Sequence, residues 1–257
     1  MIAERAVARE AAAAAALILR DARPARVDHK GVVDLVTDVD LRCEAAVRAV
    51  LLRHLPDVPV HGEEEGGAPD ARTRWLVDPL DGTTNFVHGF PWFAVSVGLQ
   101  VDGESVVGVV ADPLRGLFYE ASRGGGAWCG DRPMRVSALD DLGDALVGTG
   151  FPPDRRERAA LYLRRVEAVL TRCTCVRRTG SAALDLAMVA DGALDAFWEF
   201  GLAPWDVCAG EVLVTEAGGR VTDHFGGALS RAPVSPLATN GRLHEGMREL
   251  LARVSDP

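Results

Sequence analysis

The 257-residue chain is 48% apolar and 25% charged, and its formal net charge is −9. Such a length and composition are typical of a soluble globular protein with one large or two medium domains. The acidic balance argues against general binding of nucleic acid through a basic surface. An acidic protein that handles an anionic substrate needs a local source of positive charge, and a divalent cation held by clustered carboxylates is one such source.

The cysteines and the N-terminal segment bear on location. The five cysteines are odd in number, and they form no C-x-x-C pair and no zinc-binding spacing with histidine. This usage favours reduced thiols in a cytoplasmic protein. Charged residues within 4–10 interrupt the N-terminal apolar pattern, and the uncharged stretch 11–19 is far shorter than the ~20 residues that span a bilayer. We therefore expect an N-terminal helix and no membrane segment.

The first half of the chain predicts two helices followed by an antiparallel sheet, on the basis of helix propensity, apolar spacing and the hairpin signals VDGE and DPLRG. The predicted elements are, in order, a helix over 1–20, a helix over 40–54 with Asp40 as its N-cap, a short strand within 57–67, a strand over 73–81, antiparallel strands over 92–120 and short strands over 124–137.

The second half predicts a further sheet with helices around it. Its predicted elements are a strand over 145–151, a helix over 155–172, a strand over 173–180, a helix over 181–192, a strand over 193–200, a helix over 205–217 with Gly218 at its end, a strand and turn over 219–227 and a helix over 243–254. We expect a boundary near 137–145, which divides an N-terminal α+β half (1–140) from a C-terminal α/β half (141–257).

The stretch WLVDPLDGTTNF has more polar groups than a plain turn needs. Asp78 and Asp81 lie three residues apart across a proline-containing turn, so both carboxylates can converge, and the Leu80 carbonyl lies between them. Hard oxygen ligands of this kind suit Mg²⁺. Gly82 and Thr83 then begin a helix whose free amides favour a phosphate. The pattern predicts a metal site with an anion site beside it.

Three further acids stand at the ends of predicted elements. Taken singly, each has an ordinary structural explanation. Asp40 fits an N-cap, Glu63 begins a run of three glutamates that is typical of a solvated loop, and Asp206 fits a cap at a helix start.

Longer stretches carry a resemblance to a known family. WLVDPLDGTTNFVHGFPWFAVSVGL closely resembles the first signature of the inositol monophosphatases, and WDVCAGEVLVTEAGG resembles their second signature. The segments 34–40, 62–64 and 177–206 also match the family's order and spacing. The resemblance covers residues 28 to 220 and implies a layered αβαβα sandwich, with the active site between an α+β half and an α/β half.

The resemblance also implies roles for individual residues. It implies two to three Mg²⁺ ions per site, with oxygen ligands from Glu63, Asp78, the Leu80 carbonyl, Asp81 and Asp206. Thr83, with Asp40 as its hydrogen-bond partner, would orient and deprotonate the attacking water, and Glu63 would also reach the third, weakly held ion. The implied substrate-binding positions are Asp81, Gly82, Thr83, Ala182, Glu199 and Asp206. Family members are commonly homodimers that Li⁺ inhibits, and we expect the same here.

One position lies close to a family residue, and two depart from the family pattern. Lys30 lies near a lysine of the family's active-site loop. Glu65 stands where many members carry a small residue, and it would add charge near the metal ions. Cys208 replaces a common alanine.

The expected function is Mg²⁺-dependent hydrolysis of a small phosphate monoester, most closely myo-inositol 1-phosphate, by metal-activated water. Alternatives are a phosphatase for fructose 1,6-bisphosphate, histidinol phosphate or a 3′-phosphonucleotide, and a regulatory protein that uses this scaffold without turnover. The sequence around Glu199, FWEFGLAPWD, favours a phosphatase of the inositol type. Retention of every metal-ligand position argues against a regulatory protein without turnover. The expected partner is a phosphorylated polyol, with neither nucleic acid nor a membrane.

Overall fold

The computed structural model describes residues 1–29, 35–229 and 233–254. Its helices are α1 (Ile2–Asp21), α2 (Asp38–His54), α3 (Thr83–His88), α4 (Ala159–Leu170), α5 (Ala182–Ala190), α6 (Pro204–Glu216) and α7 (His244–Ala252), with 3₁₀ turns at Leu142–Asp144 and Pro153–Arg156. Its strands are β1 (Val27–His29), β2 (Leu35–Thr37), β3 (Val60–Gly62), β4 (Thr73–Asp81), β5 (Ala94–Val101), β6 (Glu104–Asp112), β7 (Leu117–Ser122), β8 (Ala127–Cys129), β9 (Arg132–Pro133), β10 (Leu146–Thr149), β11 (Cys175–Arg177), β12 (Ala196–Trp198), β13 (Arg220–Asp223) and β14 (Pro236–Thr239). None of these helices is both long and apolar enough to cross a membrane.

An N-terminal helix pair covers one face of a seven-stranded sheet. The sheet runs in the order β3-β4-β5-β6-β7-β8-β9, and every neighbouring pair is antiparallel except β3 and β4. Alanines of α1 are fully buried against α2 and the sheet, because their small side chains permit close approach. Trp75 and Val77 of β4 lie in the same apolar core. This core supports the strand that carries Asp78 and Asp81.

α5 and α6 lie between this sheet and a second, five-stranded sheet. The second sheet has the order β11-β10-β12-β14-β13, in which β10 is parallel to both of its neighbours and the remaining pairs are antiparallel. α6 packs so closely on the first sheet that a Cβ added at Gly98 or Gly108 would lie within 3.0 Å of Cys208 or Ala209. α4 and α7 cover the outer face of the second sheet.

The resulting layers are helix pair, sheet, helix pair, sheet and helix pair. This arrangement confirms the αβαβα sandwich that the sequence predicted. Because α5 and α6 contact both sheets, residues near their N-termini are available to a site between the layers. The division of the chain at about residue 140 stays a prediction.

The start of α2 differs from the expectation. Asp40 is not the N-cap; Thr37 is, and its hydroxyl accepts hydrogen bonds from the backbone N–H groups of Val39 and Asp40. Asp40, at the third helical position, accepts in turn from the Thr37 N–H at 2.9 Å. The two residues form a reciprocal capping box. The threonine takes the cap, and Asp40 becomes a buried residue of the first turn.

Two other elements were mispredicted. The helix expected over 155–172 begins only at Ala159, because the prolines at 152 and 153 lead into a 3₁₀ turn that ends at Arg156. β14 was not predicted, since proline is uncommon in strands. Pro236 is its first residue, and the strand pairs with both β12 and β13.

Candidate active site

Five acids line one cavity of about 570 Å³, and four of them come from β3, β4 and α6 or the residues next to these elements. β4 carries Asp78 and Asp81 at its end, where a register shift interrupts its pairing with β5. Glu63 directly follows β3, and because β3 is parallel to β4, both strands deliver their acids to the same edge of the sheet. Asp206 lies in the first turn of α6. The structure therefore brings the four predicted metal-binding side chains together.

Local hydrogen bonds hold the turn between the two aspartates. The Leu80 N–H donates to Asp78 Oδ1 at 3.0 Å. The Thr83 hydroxyl lies 3.0 Å from both the Leu80 carbonyl oxygen and Asp40 Oδ1, so its single proton can go to either acceptor. Asp40 also accepts from the hydroxyl of Thr37 at 2.5 Å. The structure thus contains the Thr83–Asp40 contact that the resemblance implied.

Asp81 and Asp206 are held by donors at helix starts. Asp81 Oδ2 accepts from the Ser181 hydroxyl at 2.5 Å and from the Ala183 N–H at 2.7 Å. Both donors stand at the start of α5, so these bonds attach the end of β4 to the middle layer of the sandwich. Asp206 Oδ2 accepts from the Ala203 N–H at 2.8 Å, at the start of its own helix.

All three aspartates have raised pKa values. The pKa of Asp78 lies well above its ordinary value because the carboxyl is buried and faces three other acids. Burial, with the charges of Glu63 and Asp81, likewise raises the pKa of Asp206. Burial raises the pKa of Asp81 to about 6, and the hydrogen bond from Ser181 opposes this rise. The cavity therefore holds several buried acids whose ionised forms are disfavoured by burial and by one another.

The donor set fits Mg²⁺. Carboxylates and the Leu80 carbonyl are hard oxygen ligands of the kind that Mg²⁺ prefers, and a cation would relieve the repulsion that raises these pKa values. Among the described residues, no three acidic, histidine or cysteine side chains already form a closed metal cluster. The side chains would therefore have to draw closer together around an ion.

The start of α3 places backbone amides beside these acids. Gly82 is the N-cap, with a φ of +93° that side chains carrying a Cβ rarely adopt. A Cβ at this position would also lie 3.1 Å from the carbonyl oxygens of Gly180 and Trp92. Gly82 and Thr83 line the cavity, as does Ala182 at the start of α5. The predicted phosphate positions therefore border the predicted metal ligands.

Glu199 follows β12 and lines the same cavity. No hydrogen bond to its carboxyl occurs within the described residues. Burial raises the pKa of Glu199 to about 8; the charge of Asp81 adds to the rise, and the arginines at 155 and 178 oppose it. The carboxyl thus keeps its hydrogen-bonding capacity for a ligand.

Sequence analysis missed several residues at the cavity. Arg155 and Arg178 line it and supply positive charge that the acidic composition did not suggest. Ser181 orients Asp81. Asp185 is a buried acid whose pKa burial raises to about 8. The available signal was the arginines of the short segments FPPDRR and RRTGS, which flank the predicted helices.

The three positions that stood out in the sequence have different outcomes. Lys30 lies outside the described residues. Glu65 pairs at 3.3 Å with Arg48, which also pairs with Glu44 at 2.8 Å, and the Glu65 N–H donates to Glu44. Cys208 is buried on α6, in the close contact with the first sheet.

Comparisons with known proteins agree with this geometry. The family model described as the inositol monophosphatase family matches residues 3–256. The chain belongs to the inositol monophosphatase family. An inositol-1-monophosphatase of Rhizobium meliloti (strain 1021) is 44% identical over 230 residues, covering 89% of this chain and 86% of that protein. The Nus factor SuhB of Escherichia coli (strain K12) is 41% identical over 230 residues, covering 89% and 85%.

Solved structures of the inositol monophosphatase family share the fold. The inositol monophosphatase from Anabaena (Nostoc) sp. PCC 7120 superposes with a TM-score of 0.89 at 39% identity, covering 98% of this chain and 96% of that one. The Thermotoga maritima IMPase has the same TM-score at 30% identity, with coverage of 99% and 98%. Membership of the inositol monophosphatase family supports a phosphatase acting on a small phosphorylated compound.

The hydrogen bond between Ser181 and Asp81 predicts a pH effect. Ser181→Ala removes a donor that stabilises the ionised carboxylate, so the pKa of Asp81 should rise further above its present value of about 6. Because Mg²⁺ binds the ionised form, its apparent affinity should begin to fall at a higher pH in the variant than in wild type as the pH is lowered. Calorimetric titration with MgCl₂ across neutral and mildly acidic pH measures this difference.

Ser105→Ala is a matched control for this experiment. Ser105 donates a similar bond, of 2.6 Å, to Glu211, and neither residue lines the cavity. Removal of the Ser105 hydroxyl should leave the pH profile of Mg²⁺ binding unchanged. Coincident profiles for Ser181→Ala and wild type would contradict the proposed coupling between Ser181 and the metal site.

Proposed function

We propose that this protein is a Mg²⁺-dependent phosphatase that hydrolyses a small phosphorylated polyol, with myo-inositol 1-phosphate as the best-fitting substrate. The observation that carries the proposal is the convergence of four acids on one cavity beside the amides of Gly82 and Thr83. The 44% identical inositol-1-monophosphatase supports the same reaction.

The acids divide into two overlapping ligand sets. Glu63, Asp78 and the Leu80 carbonyl would hold one Mg²⁺. Asp78, with Asp81 and Asp206, would hold a second, and Glu63 would also reach a third. When bound, the ions supply the positive charge that offsets a phosphate dianion and acidifies the attacking water. Asp78 belongs to both main sets, so it is the residue on which this assignment depends most.

Thr83 and Asp40 would orient the attacking water. When the Thr83 hydroxyl donates to Asp40 Oδ1, its lone pairs are free to accept a hydrogen bond from water. Burial raises the pKa of Asp40, so this carboxylate takes a proton more readily than an exposed aspartate does. The pair offers a route for the proton from the water to Thr83 Oγ1 and then to Asp40 Oδ1. Glu63, on the neighbouring strand end, would act from the same cavity.

The remaining positions would bind substrate. The amides of Gly82 and Thr83 would donate to phosphate oxygens. Ala182, through its backbone, and Glu199, through its carboxyl, would contact the polyol hydroxyls. Hydrogen bonds from hydroxyls to a carboxylate contribute ~1.5–3 kcal/mol each. A carboxyl with no hydrogen-bond partner among the described residues is well suited to accept hydrogen bonds from the hydroxyls of the leaving group.

Two other functions compete with this proposal. Phosphatases for fructose 1,6-bisphosphate, histidinol phosphate or a 3′-phosphonucleotide would use the same metal ligands. A role as a Nus factor is favoured by the 41% identity to SuhB of Escherichia coli. The intact set of acids around the cavity supports turnover, and a homodimer and a cytoplasmic location remain predictions from the family resemblance and the cysteine usage.

Phosphate release from purified protein tests the proposed activity. We expect Mg²⁺-dependent release from myo-inositol 1-phosphate that exceeds release from the three competing substrates, and no release with a chelator. Asp78→Asn should lower kcat by about 100-fold or more, because one lost carboxylate weakens two metal positions. Activity of Asp78→Asn within a factor of about three of wild type at saturating Mg²⁺ would refute the metal assignment.

Glu199→Gln tests the substrate choice. The variant keeps the shape of the side chain but cannot ionise, so it should weaken polyol binding but leave phosphate binding intact. The expected loss in kcat/KM is about 10- to 100-fold on myo-inositol 1-phosphate, and smaller on p-nitrophenyl phosphate, whose leaving group has no polyol hydroxyls. An equal loss on both substrates would mean that Glu199 does not bind the leaving group selectively.

A further inference from the structure

The carboxyl of Glu199 lies directly against Gly150. A Cβ added at Gly150 would fall within 3.0 Å of the Cδ and both Oε atoms of Glu199, a separation that real Cβ atoms essentially never show. The whole carboxyl group, and not one edge of it, therefore occupies the space that any larger residue at 150 would fill.

The sheet fixes this contact. β10 and β12 are parallel neighbours in which Thr149 is paired with Trp198. Gly150 and Glu199 are the next residues on the two strands, so they stand side by side at the edge of the cavity. Phe151 and two prolines follow Gly150 and restrict the backbone. The strand cannot easily retreat from the carboxyl.

Backbone conformation does not require glycine at this position. The φ of Gly150 lies outside the positive range that disfavours L side chains. The neighbouring atoms that an added Cβ would meet are the far end of a flexible side chain. Alanine can therefore be accommodated by the fold, and the consequence of the substitution falls on the location of the Glu199 carboxyl.

We propose that Gly150 is a positioning residue: the missing side chain at 150 sets where the Glu199 carboxyl stands in the cavity, and so sets the preference for hydroxyl-bearing leaving groups. This inference rests on the proposed phosphatase function. Any side chain at position 150 would push the Glu199 carboxyl away from β10 and out of the position in which it meets the substrate.

Gly150→Ala tests the proposal through two substrates. We expect kcat/KM on myo-inositol 1-phosphate to fall about tenfold or more, since displacements near 1 Å can cost up to about 100-fold. The value on p-nitrophenyl phosphate should stay within about threefold of wild type. In the Glu199→Ala background the substitution at 150 should cause no further loss on either substrate, because the group that it displaces is gone.

Gly148→Ala is the matched control. It lies on the same strand, but the three atoms nearest to its added Cβ would belong to Leu194, Phe197 and Asp185, at 3.0, 3.2 and 3.6 Å, and not to Glu199. It should lower the melting temperature without changing the ratio of the two kcat/KM values. Equal losses on both substrates for Gly150→Ala, or the same loss in the Glu199→Ala background, would overturn the proposal.

A readout without turnover separates this inference from the proposed function. Gly150→Ala should lower the melting temperature when Glu199 is present, because the added methyl group meets the carboxyl. It should not lower the melting temperature in the Glu199→Ala background, where that contact is gone and alanine only reduces the entropy of the unfolded chain. If this coupling is found in a protein that releases no phosphate, the phosphatase proposal fails and the positioning contact stands. If the changes in melting temperature caused by the substitutions at 150 and 199 simply add, the contact itself is refuted.

Discussion

Repulsion among buried carboxylates is the constraint on which the rest of this structure depends. Burial, together with the charges of the neighbouring acids, raises the pKa values of Asp78 and Asp206 well above their ordinary values. Removing ionised groups from water costs several kcal/mol each unless opposite charge compensates. The fold partly offsets this cost with N–H and O–H donors at Asp81 and Asp206. The part of this cost that the donors do not offset would favour binding of a cation in the cavity.

The layered architecture serves to deliver these acids to one place. Parallel pairing of β3 and β4 brings Glu63 to the same sheet edge as Asp78. α6 carries Asp206, and its close approach to the first sheet depends on glycines at 98 and 108. The bonds from the start of α5 to Asp81 attach the first sheet to the middle layer. A shift of the middle layer would therefore change the separation of these acids.

Local determinants explain which parts of the site the sequence could predict. The Asp78–Asp81 turn was predictable because its acids, its proline and the following Gly82 lie within a few residues. The Gly150–Glu199 contact was not, because it depends on the register of β10 against β12. The cap of α2 was mispredicted because a threonine and two aspartates compete within four residues, and only tertiary packing decides which one turns inward.

The most direct test of this account is the melting temperature of wild type and Asp78→Asn, each measured with MgCl₂ and with a chelator. If buried acids repel one another and form a cation site, Mg²⁺ should raise the melting temperature of wild type and have little effect on Asp78→Asn. In chelator, the variant should be at least as stable as wild type, because a repelling charge has been removed. No Mg²⁺ effect on wild type, or an equal effect on both proteins, would contradict the account.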